Sequence, residues 1–320
     1  LRLKIYTALT LSVPTGSSLL EKRFLGPLAK RVFGDYIDLD YELDRNSGKL
    51  PKNVEIIEFY FPAGKQLNNK RSQQNYISSN YTHVARDLRD AKVNVLAQLI
   101  APCPENEKGS FHNTVLGQNF SDQEVYSLSC NPDVTLDLYN QLKKDSPYPF
   151  AFIGEVNSNL PFMYGDAVVG ASNFDWIYKP KKSFQLFGPP KMSVPDKDHI
   201  IGLYASSLIK DGGDLQVGIG SLGDALVHSL LMRHQNNVEY RQALKNFDLF
   251  QKFEPTVTKK GEQDVFREGL FGASEMFVDG FMHLYKAGIL KKRVYDHLIL
   301  QRLLNEEVIN EKVDEKMFYE

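Results

Sequence analysis

Short apolar runs alternate with longer amphipathic stretches through the first half of the chain. The runs "LKIYTA", "VEIIEFYF", "VNVLAQLIA", "EVYSLSC" and "AFIGEV" have the length and the Val, Ile and Leu content of β-strands. The stretches between them, including "SLLEKRFLGPLAKRVF" and "VTLDLYNQLKK", repeat apolar residues at helical spacing, and Asp133 is a candidate N-cap for the second. Because the apolar runs are too continuous for strands with one wet face, the pattern predicts an α/β fold with a largely parallel sheet.

This alternation stops near residue 180 and starts again after residue 195. The intervening "IYKPKKSFQLFGPPKMSVPDKDH" carries four prolines and follows neither a helical nor a strand period. We therefore predict two consecutive α/β domains with largely parallel sheets, at 1–178 and 196–320, and a linker at 179–195. The lysines of "KPKK" fit a solvated linker better than a phosphate site.

A glycine-rich turn follows a strand pattern in "LQVGIGSLGDALVHSLLMRH". Gly218, Gly220 and Gly223 satisfy G-x-G-x-x-G, but a dinucleotide site also needs an acidic residue about 20 positions on, at the end of the next strand. Glu239 stands there in a polar stretch without strand pattern, which argues against a nicotinamide cofactor. Two interpretations of the turn stay open: backbone contact with a ligand, or tight packing of the helix.

The stretch 236–267 is polar and weakly patterned, and we interpret it as an insertion before the strand-like "EGLFGASEM". Glu275 follows among Gly, Ala, Ser, Met and Phe. An ionised side chain in such surroundings loses hydration, so an unpaired one is normally excluded from them or retained for chemistry. The structural alternative places Glu275 in the first turn of a helix over "EMFVDGFMHLYKAG". There its negative charge would interact with the helix macrodipole and stabilise the helix by roughly 0.3–1 kcal/mol. The pattern alone slightly favours this alternative.

Composition narrows the functional classes. The 320 residues include 38 basic and 40 acidic side chains, so the net charge of −2 gives no general attraction to nucleic acid or to an anionic membrane. No apolar run reaches the roughly 18 residues that indicate a membrane span. The two cysteines, Cys103 and Cys130, have neither disulfide nor zinc spacing, which favours a reducing compartment and predicts a cytoplasmic protein. Since the chain opens at Leu1 on a strand pattern, we expect it to be a piece of a longer protein.

Other candidates for chemistry are weaker. The seven histidines show no metal-ligand spacing, so no metal site is predicted. His83 is expected to be a polar residue in the first turn of a helix. For "GEVN", residues 155–157 with Gly154 before them, a substrate-binding loop and a simple turn both stay open.

Two segments in the same order carry a family resemblance. "LQVGIGSLGDAL" followed by "GASEMFVDGFMHLYKAGIL", with "EVN" upstream, resembles the acetyl-CoA hydrolase/CoA-transferase family, whose members carry GIG-x-x-x-D-A and then H-S-E-M-x-x-D-G-x-x-x-L-x-x-A-G. The resemblance extends from about Tyr126 onward and more loosely over the preceding part. Ala273 stands where compact members commonly have His, and the insertion is longer than theirs, which points to a divergent, larger branch.

The resemblance implies an activity and a set of site residues. It implies a CoA transferase or acyl-CoA hydrolase that uses coenzyme A as a substrate, with Glu275 as the nucleophile that forms a glutamyl-CoA thioester. Gly218, Ile219, Gly220, Ser221 and Leu222 match the family's CoA-contacting segment. The implied partners are acyl-CoA and a small carboxylate such as acetate, in a monomer or a homo-oligomer. The family's domains also imply chain before Leu1 and after Glu320 that completes the site. The alternative is a non-catalytic CoA-binding regulatory module that retains the fold.

Overall fold

The computed structural model describes residues 1–61, 64–107, 124–130, 132, 134–188, 191–274, 276–295 and 297–310. The chain divides into two compact units, Leu1–Pro190 and Lys191–Glu320. Within the described ranges no helix combines the length and the apolar character needed to cross a membrane.

The first unit is built from two sheets and five helices in the part of the chain that is described. Its strands are β1 Leu3–Thr7, β2 Val54–Glu58, β3 Val95–Pro102, β4 Val125–Ser127, β5 Ala151–Val156, β6 Val168–Gly170 and β7 Trp176–Tyr178. Its helices are α1 Leu19–Phe33, α2 Asp40–Ser47, α3 Lys70–Gln74, α4 Val84–Asp90 and α5 Thr135–Asp145. Strands β1 and β2 pair with each other, and the other five form one sheet in the order β6-β4-β3-β5-β7.

Most of these strands pair in parallel. β1 is parallel to β2, and β5 is parallel to both β3 and β7. β4 pairs antiparallel with β3 and with β6, so one side of the larger sheet departs from the predicted parallel arrangement. The predicted α/β fold is confirmed, with mixed pairing at one side of that sheet.

Aromatic and aliphatic side chains fill the core on the large sheet. Ile100 of β3 and Phe152 of β5 are buried, and Phe152 stacks on Phe174 with ring centroids 4.3 Å apart. Leu138 and Leu142 of α5 belong to the same core cluster. Helix α5 begins at Thr135, and the predicted N-cap Asp133 lies outside the described residues.

A buried charge network lies at the carboxyl end of the β1–β2 pair. Arg45 of α2 bonds to both Glu42 and Glu58, and the three side chains are nearly inaccessible to solvent. Lys65 lies 3.2 Å from Glu42, and Thr10 donates to Glu58 at 2.8 Å. Burial alone would raise the pKa of Glu42, but Arg45 and Lys65 outweigh it and hold this pKa below its ordinary value. Two carboxylates and two cations therefore neutralise one another, and Lys65 is the one of the four that is partly exposed.

The second unit contains six helices and one parallel strand pair in its described part. Its elements are α6 Asp196–Ser206, β8 Asp214–Gln216, α7 Ser221–Gln235, α8 Asn237–Asn246, α9 Leu249–Lys260, β9 Phe271–Ala273, α10 Asp279–Lys286 and α11 Leu298–Asn305. Helices α6 and α7 cross closely because Gly202 has no side chain: a Cβ there would lie 2.6 Å from the carbonyl carbon of Ala225.

The polar stretch 236–267 contains α8 and α9. Arg233 of α7 bonds both to the end of this stretch and to α6. The buried Arg233 donates through Nε to the carbonyl of Asp264 at 2.7 Å and through Nη1 to that of Ser206 at 3.2 Å. Its guanidinium also lies 4.2 Å from the centre of the Phe266 ring. Burial lowers the pKa of Arg233, because desolvation disfavours its charge. Backbone carbonyls thus solvate this cation and fix the stretch that follows α9.

Candidate active site

The carboxyl ends of β8 and β9 lie side by side. Gln216 is in register with Ala273, and the N–H of Val217 donates to the Ala273 carbonyl at 3.1 Å. Because parallel neighbours end at the same edge of a sheet, the turn after β8 and the segment after β9 meet there. This edge brings together the two segments that carry the family resemblance.

The three glycines of the turn have different roles. A Cβ on Gly223 would lie 2.5 Å from the Gly218 carbonyl oxygen, so Gly223 allows tight packing of α7. Gly218 and Gly220 have open space where a Cβ would be. Gly220 also has φ 128° and ψ 172°, a conformation that is essentially restricted to glycine. Packing explains one glycine, and the other two leave backbone exposed.

Helix α7 begins at Ser221, so Ser221 and Leu222 form its first turn rather than the end of the loop that the sequence predicts. Gly220 at the N-cap has no side chain, and the first N–H groups of a helix have no partner within it. Ser221 donates its hydroxyl to Asp198 at 2.6 Å. Ile219 and Leu222 are 62% and 48% exposed. The turn therefore presents backbone donors between two exposed aliphatic side chains.

Carboxylates surround this end of α7. Asp224 lies in its first turn, Asp198 bonds to Ser221, and Asp279 forms a surface ion pair with Lys191. Lys191 holds the pKa of Asp279 below its ordinary value. The carboxylates of Asp198 and Asp224 weaken the attraction of this helix end for a phosphate, and Lys191, which interacts with Asp224 and Asp279, offsets them in part.

The predicted nucleophile Glu275 lies outside the described residues. Its neighbours in sequence are described: Ser274 Oγ is 3.0 Å from the Val217 carbonyl oxygen and also lies within hydrogen-bond distance of the Met276 carbonyl. The single hydroxyl proton serves one of these acceptors at a time. The chain on both sides of Glu275 is thereby connected to the residue before Gly218.

The helix predicted over "EMFVDGFMHLYKAG" begins later in the structure, and the helix-dipole alternative for Glu275 falls on a residue outside the described ranges. Helix α10 begins at Asp279, and residues 276–278 are not helical, so the first turn of this helix does not include position 275. Val278 at the N-cap position is extended, with φ −103° and ψ 150°.

The weaker candidates have structural roles in this fold. Asn157 is buried after β5, where its amide donates to the Phe184 carbonyl at 3.1 Å and its oxygen accepts from the Asn159 N–H at 2.9 Å. These bonds favour the simple-turn interpretation of "GEVN". His83 ends a 3-10 turn, just before α4. Lys179 pairs with Glu124 at 2.9 Å on the surface. In the described ranges, His, Cys, Asp and Glu form no group of three or more that suits a metal ion.

Asp211 holds together the starts of β8 and β9. Its carboxylate accepts from the backbone N–H groups of Arg267, Glu268, Gly269 and Gly212, at 2.7 to 3.1 Å. Burial alone would raise the pKa of Asp211, but these four donors outweigh it and hold the pKa below its ordinary value. Ionised Asp211 therefore stabilises the strand pair that carries the candidate site.

We expect Asp211→Asn to lower the melting temperature at pH 7, because an amide cannot accept all four N–H groups. The loss should be about 1–3 kcal/mol. As the pH falls below about 4, Asp211 is protonated in the unfolded chain before it is protonated in the folded protein. The wild type therefore loses this stabilisation, and its melting temperature approaches that of the variant. Calorimetry from pH 7 to pH 3 measures the difference. Asp248→Asn is the control, since Asp248 is exposed and its φ of 54° is tolerated by Asn. A difference that stays constant with pH would contradict the assigned role.

Comparisons with known proteins give partial matches. No family model matches the chain. A stretch of 141 residues is 29% identical to 4-hydroxybutyrate coenzyme A transferase of Clostridium kluyveri and covers 44% of this chain and 24% of that protein. A stretch of 85 residues is 35% identical to a succinyl-CoA:acetate/propanoyl-CoA:succinate CoA transferase of Fasciola hepatica and covers 26% of this chain and 17% of that protein.

Solved structures share the fold. RipA from Yersinia pestis has a TM-score of 0.50 at 18% identity, over 78% of this chain and 45% of that chain. A mutant of RipA has a TM-score of 0.52 at 17% identity, over 90% of this chain and 56% of that chain. The chain thus spans about half of these structures, and its matches span about a quarter or less of the two curated relatives. The mixed α/β fold is therefore the one that these structures share. Over part of its length the chain is similar in sequence to CoA transferases, which bears out the family resemblance stated from the sequence.

Proposed function

We propose that the protein transfers coenzyme A from an acyl-CoA to a small carboxylate such as acetate, or hydrolyses acetyl-CoA, through a thioester on Glu275. The observation that carries this proposal is the parallel β8–β9 pair. It places the turn at Gly218 beside Ser274 and Met276, the sequence neighbours of the proposed nucleophile. The similarity to CoA transferases supports the same chemistry.

The proposed reaction proceeds in balanced steps. The Glu275 carboxylate attacks the acyl-CoA thioester, forms a mixed anhydride and releases CoA thiolate. The thiolate attacks the glutamyl carbonyl, which gives a glutamyl-CoA thioester and frees the first carboxylate. An acceptor carboxylate then reverses these two steps and leaves as its CoA ester. If water attacks instead, the products are CoA and the free Glu275 carboxyl group.

The turn after β8 supplies contacts for the substrate in this proposal. Gly218 and Gly220 admit the pantetheine arm close to the backbone, because neither carries a Cβ. The first N–H groups of α7, at Ser221 and Leu222, can donate to a thioester oxygen as charge develops on it. Ile219 offers apolar surface beside them. These steps need no metal ion, and the proposal includes a cytoplasmic location.

We expect Gly218→Val to lower CoA transfer strongly and to leave the fold nearly unchanged. A Cβ at Gly218 contacts nothing within 4 Å and its φ is not positive, so a side chain fits the protein but obstructs the ligand. Gly220→Val differs, because its strained backbone costs about 1–3 kcal/mol as well. The measurement is transfer from acetyl-CoA to labelled propionate by the product of the complete reading frame, with melting temperatures alongside.

Gly188→Val is the matched control, since Gly188 likewise has open space where a Cβ would be and its φ is not positive. Full activity in Gly218→Val would exclude the turn as a substrate contact. Acetyl-CoA binding without transfer or hydrolysis in the wild type would favour the non-catalytic CoA-binding module.

A further inference from the structure

A polar pocket of about 570 Å³ lies in the first unit, between the end of α2, strand β2 and the loop that leads into α3. This volume is typical of small-molecule sites. Four basic residues, Arg45, Lys65, Lys70 and Arg71, line it together with five Asn and Gln residues. Among the described residues, no acidic side chain lines it. The pocket is thus rich in hydrogen-bond donors.

Two of the four cations are neutralised by carboxylates that do not line the pocket. Arg45 bonds to Glu42 and Glu58, and Lys65 pairs with Glu42, while neither carboxylate lines the pocket. Lys70 takes part in no ion pair among the described residues, and it is exposed. Arg71 donates to the Val54 carbonyl at 3.1 Å. Lys70 and Arg71 therefore give the wall its excess positive charge.

Glu55 is an acidic residue that interacts electrostatically with Arg71 of this wall, and it already forms an ion pair with Arg2. Its carboxylate bonds to Arg2, and Arg71 and Lys4 lower its pKa further through their charges. Glu55 does not line the pocket. It therefore lessens the positive charge of Arg71 in part and leaves that of Lys70 intact.

Two buried donors in the same wall have no partner. Ser72 and Arg45 are 5% and 8% exposed, and both line the pocket. Ser72 Oγ and Arg45 Nε are shielded from solvent and make no hydrogen bond with any described residue. Buried donors are nearly always paired, so two unpaired donors in one basic wall favour an acceptor as the kind of ligand that suits this pocket.

We propose that this pocket binds the phosphate group of a small phosphate monoester. Such a group carries nearly two negative charges near pH 7 and has three strong acceptor oxygens. The charge matches Lys70 and Arg71, and the oxygens match these two side chains, together with Ser72 once its side chain turns its hydroxyl into the pocket. The surrounding amides suit the hydroxyl or ring nitrogen atoms of the rest of the molecule. The site lies in the first unit and is independent of the proposed transfer chemistry in the second.

The test is calorimetric binding of adenosine 5′-monophosphate, inorganic phosphate and adenosine to the 320-residue chain at low ionic strength. We expect both phosphates to bind and adenosine to bind at least about tenfold more weakly, since it lacks the charged group. Tighter binding of the monophosphate than of inorganic phosphate identifies a monoester, and equal binding identifies free phosphate as the ligand. Absence of phosphate binding, or equal binding of adenosine, would overturn the proposal.

Two variants separate binding from a structural role. Lys70→Gln and Ser72→Ala should each weaken phosphate binding about tenfold. Ser72→Ala removes an unpaired hydroxyl, so its melting temperature without ligand should not fall, whereas a structural hydroxyl would lower it. Lys144→Gln, an exposed lysine on α5, is the control and should bind as the wild type does. Unchanged binding in Lys70→Gln and Ser72→Ala would place the phosphate elsewhere.

Discussion

Glu275→Gln is expected to lower CoA transfer on the order of 10³-fold or more while CoA binding persists. The amide keeps the shape of the side chain but lacks the anionic oxygen that attacks the thioester. Transfer rates and CoA affinity should be measured on the product of the complete reading frame. After incubation of the wild type with acetyl-CoA and reduction with borohydride, peptide mapping should locate the modification on the peptide that contains Glu275.

The matched control is Glu239→Gln, a carboxylate in the first turn of α8. It makes the same chemical change outside the β8–β9 edge, so activity should stay at the wild-type level. An active Glu275→Gln variant, or a label on a different peptide, would assign the nucleophile to another residue.

Arg45→Met should destabilise the first unit by about 3–5 kcal/mol. The substitution roughly preserves side-chain volume but leaves Glu42 and Glu58 buried without their shared cation. Lys65 remains near Glu42 only, so Glu58 loses its one ionic partner among the described residues. Urea unfolding followed by circular dichroism gives the free energy of unfolding.

Arg86→Met provides the comparison for this prediction. Arg86 is half exposed and pairs with its neighbour Asp87 at the surface, so its removal should cost at most about 1 kcal/mol. Equal losses in the two variants would mean that water reaches the carboxylates of the network and replaces the guanidinium.

Hydrophobic periodicity predicted most elements of the first unit because their local pattern agrees with their environment. β2, β3 and β5 coincide with Val- and Ile-rich runs, and α1 begins at the "SLLE" capping box, where Ser18 and Glu21 bond to each other's backbone. Strand direction was not accessible in the same way. "VYS" reads as a strand, but its antiparallel pairing with β3 depends on the path of the chain between them.

The candidate site shows where local pattern misleads. Met276, Phe277 and Val278 continue the apolar spacing of α10, yet they precede the helix, which begins at Asp279. Ser274, just before this non-helical segment, donates a hydrogen bond to the Val217 carbonyl. Such a bond cannot be recognised from the hydrophobic periodicity of the sequence. The contact between Ser274 and Val217 was not predicted: it follows from the parallel register of β8 and β9, and no local pattern relates residues so far apart.

The pocket at Ser72 had no sequence signal. Its basic residues come from the end of one helix, a loop and the start of another, and only the fold assembles them. Arg45 and Glu58 likewise read as surface charges in sequence, although both are buried.

The separation of Val217 and Ser274 along the chain, 57 positions, bears on how the β8–β9 edge forms and how it can change. The length-dependent entropy of closing such a loop is roughly 3–4 kcal/mol if the connection is flexible. Doubling the loop adds only about 0.6 kcal/mol, so a longer connection is a small burden on the strand pair. The helices α8 and α9 are ordered, and Arg233 bonds to the chain after α9, so fewer residues of the connection are flexible. Insertions between the two segments therefore cost little free energy, so the length of this connection can vary while the edge keeps its geometry.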